Sequence, residues 1–252
     1  MEKIPKIVVN HFNTLADRYD QKSLNRQVYL QSIDNLILGH LQTINNNPLK
    51  ILDVGCGTGQ RTEKYKLSLK ESVVYGCDIS PQMVSLAQSR NLDKVIVSDM
   101  SDLPFDNESF DVILCLFNSF GYLADQTQRL QALTQFRKKL KHNGLLFIDV
   151  MNQWHMGEGL NYKKSFFSIL RTYITSVLSS SMSRGDLYFS LSLNNQEVAG
   201  WVHGFSDAEM RFLLTQSGFS VKDKAYVGYD SGEIKKHFWQ GQLFYRCEKV
   251  SK

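Results

Sequence analysis

The segment Ile51-Leu52-Asp53-Val54-Gly55-Cys56-Gly57-Thr58-Gly59-Gln60 confines the chain more than any other part of it. It is an apolar strand that runs into a turn with glycine at every second position, and a carboxylate sits just before the turn. Glycines at 55, 57 and 59 give the backbone access to positive φ and let a ligand lie directly against the main chain. In open α/β sheets ligands collect outside the carboxyl ends of the strands, which is where this turn would lie.

A dinucleotide pyrophosphate calls for Gly-x-Gly-x-x-Gly at a helix N-terminus. Here the spacing is Gly-x-Gly-x-Gly, and Asp53 would repel a pyrophosphate while accepting hydrogen bonds from an ammonium group. The loop therefore suits a cationic ligand without phosphate. Val73-Val74-Tyr75-Gly76-Cys77-Asp78 reads as a buried strand ending in an acid 19 residues after Gly59, the place where a ribose diol is gripped.

Two further segments follow in order: Val95-Ile96-Val97-Ser98-Asp99-Met100 and Phe110-Asp111-Val112-Ile113-Leu114-Cys115-Leu116. With the glycine loop and Asp78-Ile79-Ser80-Pro81-Gln82-Met83, residues 47–150 resemble the class I, Rossmann-like S-adenosylmethionine (SAM)-dependent methyltransferases, small-molecule subgroup. The resemblance implies a three-layer α/β fold. Its seven-stranded, mostly parallel sheet would have an antiparallel edge, an N-terminal helical cap and an insertion after strand five. It implies SAM as cofactor and S-adenosyl-L-homocysteine (SAH) as product. By the same resemblance Asp53 and the loop Gly55, Cys56, Gly57, Thr58 and Gly59 face the methionine part, and Asp78 takes the ribose hydroxyls. Ile79 and Met83 flank the adenine, Asp99 and the Met100 amide read its edge, and Leu116 and Phe117 lie beside the sulfonium. Tyr19, in Ala16-Asp17-Arg18-Tyr19-Asp20, resembles the cap tyrosine that approaches the methionine end.

Composition limits the partners. With 252 residues, 42% hydrophobic and 21% charged, the chain can bury one full-sized core, so we expect one domain, as a monomer or homodimer. A net charge of +4, with Lys and Arg scattered, does not call for nucleic acid. No apolar stretch approaches the ~20 residues of a membrane span and no apolar leader is visible, so a cytoplasmic protein is expected. The four cysteines form no Cys-x-x-Cys pair and have no histidine at ligand spacing, which predicts reduced packing residues and no metal.

Periodicity divides the chain further. Residues 1–46 form the helical cap, with Phe12, Leu15 and Tyr19 on one helix and Leu30, Ile33, Ile37 and Leu41 on a second. Residues 47–151 form the SAM-binding core, with strands at 50–54, 72–77, 94–97, 110–116 and 144–150 and crossover helices between them. Ser80-Pro81 opens one helix, and another, carrying Leu130, Leu133, Phe136 and Leu140, is expected to stop at His142-Asn143-Gly144. Residues 152–204 are expected to be a substrate lid, with a helix through Phe166, Leu170, Tyr173, Ile174 and Val177 and a strand over 187–193. Residues 205–252 return to the core with a helix capped by Ser206 and strands at 220–227 and 237–247.

The acceptor site is expected after strand four, at Asn118-Ser119-Phe120-Gly121-Tyr122-Leu123, with Asn118, Phe120, Tyr122, Asn152 and Trp154 as substrate-binding candidates. Enzymes that methylate exocyclic base amines place prolines here, and this chain has none. The segment is similar to small-molecule methyltransferases, which implies an amine nitrogen of a specialised metabolite as acceptor. O- or C-methylation, an RNA or protein acceptor, and SAM binding for other chemistry are the alternatives. A sulfonium is already activated, so the enzyme aligns the nucleophile, excludes water and removes a proton. His155 and His203, flanking the insertion, are the candidate bases.

Overall fold

The computed structural model describes residues 4–44, 48–157, 184–193 and 196–250. Helix α1 (Ile4–Ser23) passes through a 3-10 turn, Leu24–Arg26, into α2 (Gln27–Ile44). Alternating elements follow: β1 (Lys50–Val54), α3 (Gln60–Ser68), β2 (Val73–Asp78), α4 (Pro81–Ala87), β3 (Lys94–Val97) and β4 (Phe110–Cys115). Next come a 3-10 turn, Ser119–Tyr122, then α5 (Gln126–Lys139) and β5 (Leu140–Val150). After them lie the hairpin β6 (Asp186–Leu193) and β7 (Gln196–His203), α6 (Asp207–Gln216), β8 (Phe219–Val227), β9 (Ile234–Lys235) and β10 (Gln242–Lys249).

The main sheet has the order β3-β2-β1-β4-β5-β10-β8-β9. Strands β1 to β5 pair in parallel, and β10 enters antiparallel between β5 and β8. This is the Rossmann-like methyltransferase sheet with its antiparallel edge, extended by the two-residue β9. The central strands bury both faces, so each alternates between two cores rather than between core and water. Ile51, Val112, Leu114 and Phe147 pack with Leu30, Ile33, Ile37 and Leu41 of α2, while Leu52, Ile113, Leu146 and Ile148 pack with Leu133 and Phe136 of α5 and Leu213 of α6.

Caps stand where the side-chain chemistry puts them. Ser80 Oγ accepts the Met83 amide ahead of Pro81, and Ser206 Oγ accepts the Glu209 amide. Two boundaries differ from expectation. Helix α5 stops at Lys139, and β5 begins at Leu140, so His142-Asn143-Gly144 lies within a strand whose register shifts there, with Asn143 at φ 59°. The last strand begins at Gln242, because Phe238–Gln240 form a 3-10 turn. The hairpin was foreseen only in its first strand; its partner over 196–203 was not. The helix expected through Phe166 and Val177 lies outside the described residues. Among the described residues no helix is long and apolar enough to cross a membrane.

Candidate active site

The glycine turn is held by sterics and by the end of β2. Gly55, Gly57 and Gly59 have φ of 77°, 55° and 73°, and the Gly55 and Cys56 amides donate to the Cys77 carbonyl at 2.8 and 3.0 Å. A Cβ on Gly55 would sit 2.6 Å from Ser119 Cβ, so the approach of the 3-10 turn after β4 demands glycine. A Cβ on Gly57 would meet only Tyr19 Cε1, at 3.7 Å, leaving bare backbone facing open space.

Three carboxylates surround that space. Asp53, at the end of β1, is buried and accepts the Thr62 hydroxyl at 2.6 Å; burial pushes its carboxyl up to about 6, against the pull of Thr62 and Arg61. Asp78 accepts the Gly57 and Ser80 amides at 2.9 Å each, and burial raises its carboxyl despite these bonds. One oxygen of Asp99 takes the Ser101 amide and hydroxyl at 2.8 and 2.7 Å. Each Asp78 oxygen keeps lone-pair capacity for another donor.

A cavity of about 400 Å³ is lined by Asp78, Ile79, Met83, Asp99 and Met100, by His11, Phe12, Leu15, Tyr19 and Lys22 of α1, and by Arg26 of the following 3-10 turn. Phe117, Ser119, Tyr122, Leu123, Gln128 and Phe189 also line it. A smaller chamber of about 50 Å³ shares Tyr19, Gly55, Gly57, Phe117 and Ser119 with it and adds Asp53, Cys56, Thr58, Arg61 and Leu116.

Helix α1 is tied down over both. The Ser80 hydroxyl donates to Asn13 Oδ1 at 2.6 Å, the Thr58 hydroxyl donates to Asp20 Oδ1, and Arg90 donates to Asp20 Oδ2 at 2.8 Å. Behind the smaller chamber, Asp34 of α2 accepts Arg61 at 2.7 Å and the Tyr65 hydroxyl at 2.7 Å. Asp149, 1% exposed at the end of β5, accepts the Tyr29 hydroxyl and the Phe117 amide, both at 2.7 Å. It thereby holds Phe117 at φ 56°, a left-handed conformation that a non-glycine residue keeps only when its surroundings impose it.

Residues 51–144 match the model of a family described as Methyltransferase domain. The glycine/sarcosine N-methyltransferase of Parasynechococcus marenigrum is 35% identical over 116 residues, 43% of this chain and 40% of that protein. The demethylmenaquinone methyltransferase of Thermotoga maritima is 30% identical over 154 residues, 58% of this chain and 62% of that protein. Among solved structures, a SAM-dependent methyltransferase from Clostridium acetobutylicum superimposes with a TM-score of 0.66 at 16% identity, covering 96% of this chain and 99% of that one, a likeness of fold. The chain carries a methyltransferase domain over residues 51–144, on the fold of the SAM-dependent methyltransferases. It matches less than two thirds of the length of each of these two curated relatives.

The lining chemistry fits the cofactor of this methyltransferase family. Desolvated acids cluster where a sulfonium and an ammonium would relieve their repulsion, Asp78 can accept diol hydroxyls, and Gly57 leaves room for contact with the main chain. Of the residues expected to hold SAM, all but Gly59 line one chamber or the other. Gly59 instead packs against Ala87 of α4, where a Cβ would come within 3.0 Å.

Of the acceptor and base candidates, Tyr122 lines the cavity, and the other six line neither chamber. His203 is 1% exposed between Asp186 (Nδ1 to Oδ1, 2.7 Å) and Glu209 (Nε2 to Oε1, 3.0 Å), joining the hairpin to α6. His155 has Nδ1 2.9 Å from Gln242 Nε2. Asn152 is consumed in tying down the chain around Phe238–Gln242: it donates to the Gly241 carbonyl at 2.9 Å and accepts the Trp154 amide at 3.0 Å, which keeps Trp154 in the same turn. Asn118 accepts the Met151 amide at 2.8 Å, and Phe120 stacks on Phe205 in the core.

The histidine that does line the cavity is His11. It is 4% exposed, meets Phe12 and Phe189 edge-on, and has a buried Nδ1 with no hydrogen-bond partner among the described residues. Burial, with the charge of Lys22, lowers its pKa, so the ring is neutral near pH 7. Helical phase was the available signal: His11, Leu15, Lys22 and Arg26 recur along the stripe that carries Phe12 and Tyr19.

Proposed function

We propose that the protein transfers the methyl group of SAM to an amine nitrogen of a small molecule bound beneath α1. The observation that carries this reading is the continuity of the cavity. The walls of Asp78, Ile79, Met83 and Met100 run without a break into those of His11, Phe12, Tyr122 and Phe189. A recess of this size suits a metabolite, whereas a polymer needs an open groove. In this reading Asp78 binds the ribose hydroxyls, Ile79 and Met83 flank the adenine, and Asp99 with the Met100 amide contacts its edge. Asp53 and the glycine loop face the methionine part, with Leu116 and Phe117 beside the sulfonium. The cofactor supplies an activated methyl group; the chain supplies alignment and a dry enclosure.

An amine must lose a proton during transfer, and neutral His11 is the group placed to take it. Tyr122 is a poor base, because burial pushes its phenol up to about 12. The small, amine-bearing substrate in the name of the glycine/sarcosine relative supports nitrogen as the acceptor atom. Residues 152–204 act in this reading as a substrate lid, supported by Phe189 of the hairpin in the cavity wall. Four free cysteines, all with raised pKa, suit a reducing cytoplasmic compartment.

The test is incubation with cell extract and SAM bearing a deuterated methyl group. A mass-shifted metabolite whose fragments carry the label on nitrogen is expected. Label on oxygen or carbon overturns the amine assignment, and label confined to RNA or protein overturns the small-molecule assignment. Preference for NADH over SAH in a binding titration overturns the cofactor.

A further inference from the structure

Charge of both signs lines the cavity. Asp78 and Asp99 are in its wall, with Asp53 in the adjoining chamber, and so are Lys22 and Arg26. Neither cation forms a salt bridge with a carboxylate among the described residues. Arg26 is nonetheless fixed in place: its guanidinium carbon lies 5.1 Å from the centre of the Phe117 ring and 5.9 Å from that of Tyr229. Stacking holds the plane of a guanidinium and leaves its N–H edge available for a bidentate acceptor. Its charge reaches into the recess, where it offsets the burial that raises the Tyr122 phenol, and the charge of Lys22 reaches His11, where it adds to the effect of burial.

Resting on the methyl-transfer reading above, we propose that the acceptor is an anionic amine whose carboxylate or phosphate is held by Arg26 and Lys22. The cofactor's positive charges go to the acids, and the acceptor's negative charge goes to the two cations. A purely cationic amine would meet two like charges in a poorly solvated recess, where repulsion is stronger than in water. A charge-assisted bond from a fixed guanidinium would also set the nitrogen at a constant distance from the anionic group, which orients it toward the cofactor chamber. Arg26 is thus a specificity-determining residue, and Lys22 supports it.

The experiment uses the full chain, the deuterated methyl donor and cell extract, together with Arg26→Gln and the double variant Lys22→Gln/Arg26→Gln, and SAH binding is measured by calorimetry on all three. The labelled product should be retained on an anion exchanger at a pH alkaline enough to remove the amine proton, and alkaline phosphatase should abolish that retention for a phosphate and leave it for a carboxylate. Arg26→Gln should raise the KM for the purified acceptor at least tenfold, with SAH affinity within about twofold of wild type. A labelled product that carries neither a carboxylate nor a phosphate overturns the proposal, as does an unchanged KM in the double variant. A tenfold loss of SAH affinity also overturns it, because the cations would then be serving the carboxylate of the cofactor. Failure of the wild type to label any small molecule while binding SAH overturns instead the methyl-transfer reading beneath it.

Discussion

At the scale of single residues, the buried acids and His11 carry the testable chemistry. Asp78→Ala should weaken SAH binding by about 1.5–3 kcal/mol, the range for bonds to a charged group, measured by calorimetry. Asp53 makes binding pH-dependent. Its carboxyl titrates at about 6 in the folded protein rather than 3.8, so the ionised form that attracts an ammonium is present above about 6 and disappears as the pH falls through that value. SAH affinity should fall over the same interval, and Asp53→Asn should remove that step. The same raised value means that Asp53 stabilises the ligand-free fold below 3.8 and that this contribution is lost as the pH rises through about 6. His11→Ala should reduce kcat by roughly 10²-fold with little change in SAH affinity. At saturating SAM, the wild-type rate should fall as the pH drops below the ordinary histidine value and His11 gains its proton; the variant should lack that limb. The positions of the acids are legible because each lies at or just past the end of a strand in a motif. His11 was not, because its role depends on which helix face meets the sheet, and no local pattern states that.

At the scale of elements, α1 closes the site through three side-chain bonds, to Ser80, Thr58 and Arg90. Asp20→Ala removes two of them, one of which is also an ion pair. Each such bond contributes about 0.5–1.5 kcal/mol, so amide exchange in α1 should speed up several-fold to more than tenfold while the strands keep their protection. Strand and cap positions read well from sequence: β1 and β3 lie where expected, and Ser80 and Ser206 cap as expected. Asn143-Gly144 misled because a left-handed Asn serves equally as a helix stop or as a bulge within a strand, and the pairing of β5 with β4 and β10 decides for the bulge. His203 misled for a related reason. Its position beside the insertion suggests chemistry, but the carboxylates of Asp186, across the hairpin, and Glu209, on the next helix, claim both ring nitrogens.

At the scale of the whole molecule, the sheet and the cap form a single thermodynamic target for the cofactor. SAH at about 100 times its Kd should add about 2.7 kcal/mol and raise Tm by roughly 5–10 °C in a thermal melt, and Asp78→Ala should shrink that rise at fixed ligand concentration. Tyr19 borders both chambers, while His11, Lys22 and Arg26 line the larger one. In the proposed reading, the helix that seals the cofactor is therefore also a wall of the acceptor site. Whatever settles α1 against the glycine turn also assembles the place where the second substrate docks. Steady-state kinetics should accordingly be sequential and ordered, with SAM adding first and SAH leaving last: SAH should inhibit competitively against SAM, and the methylated product non-competitively.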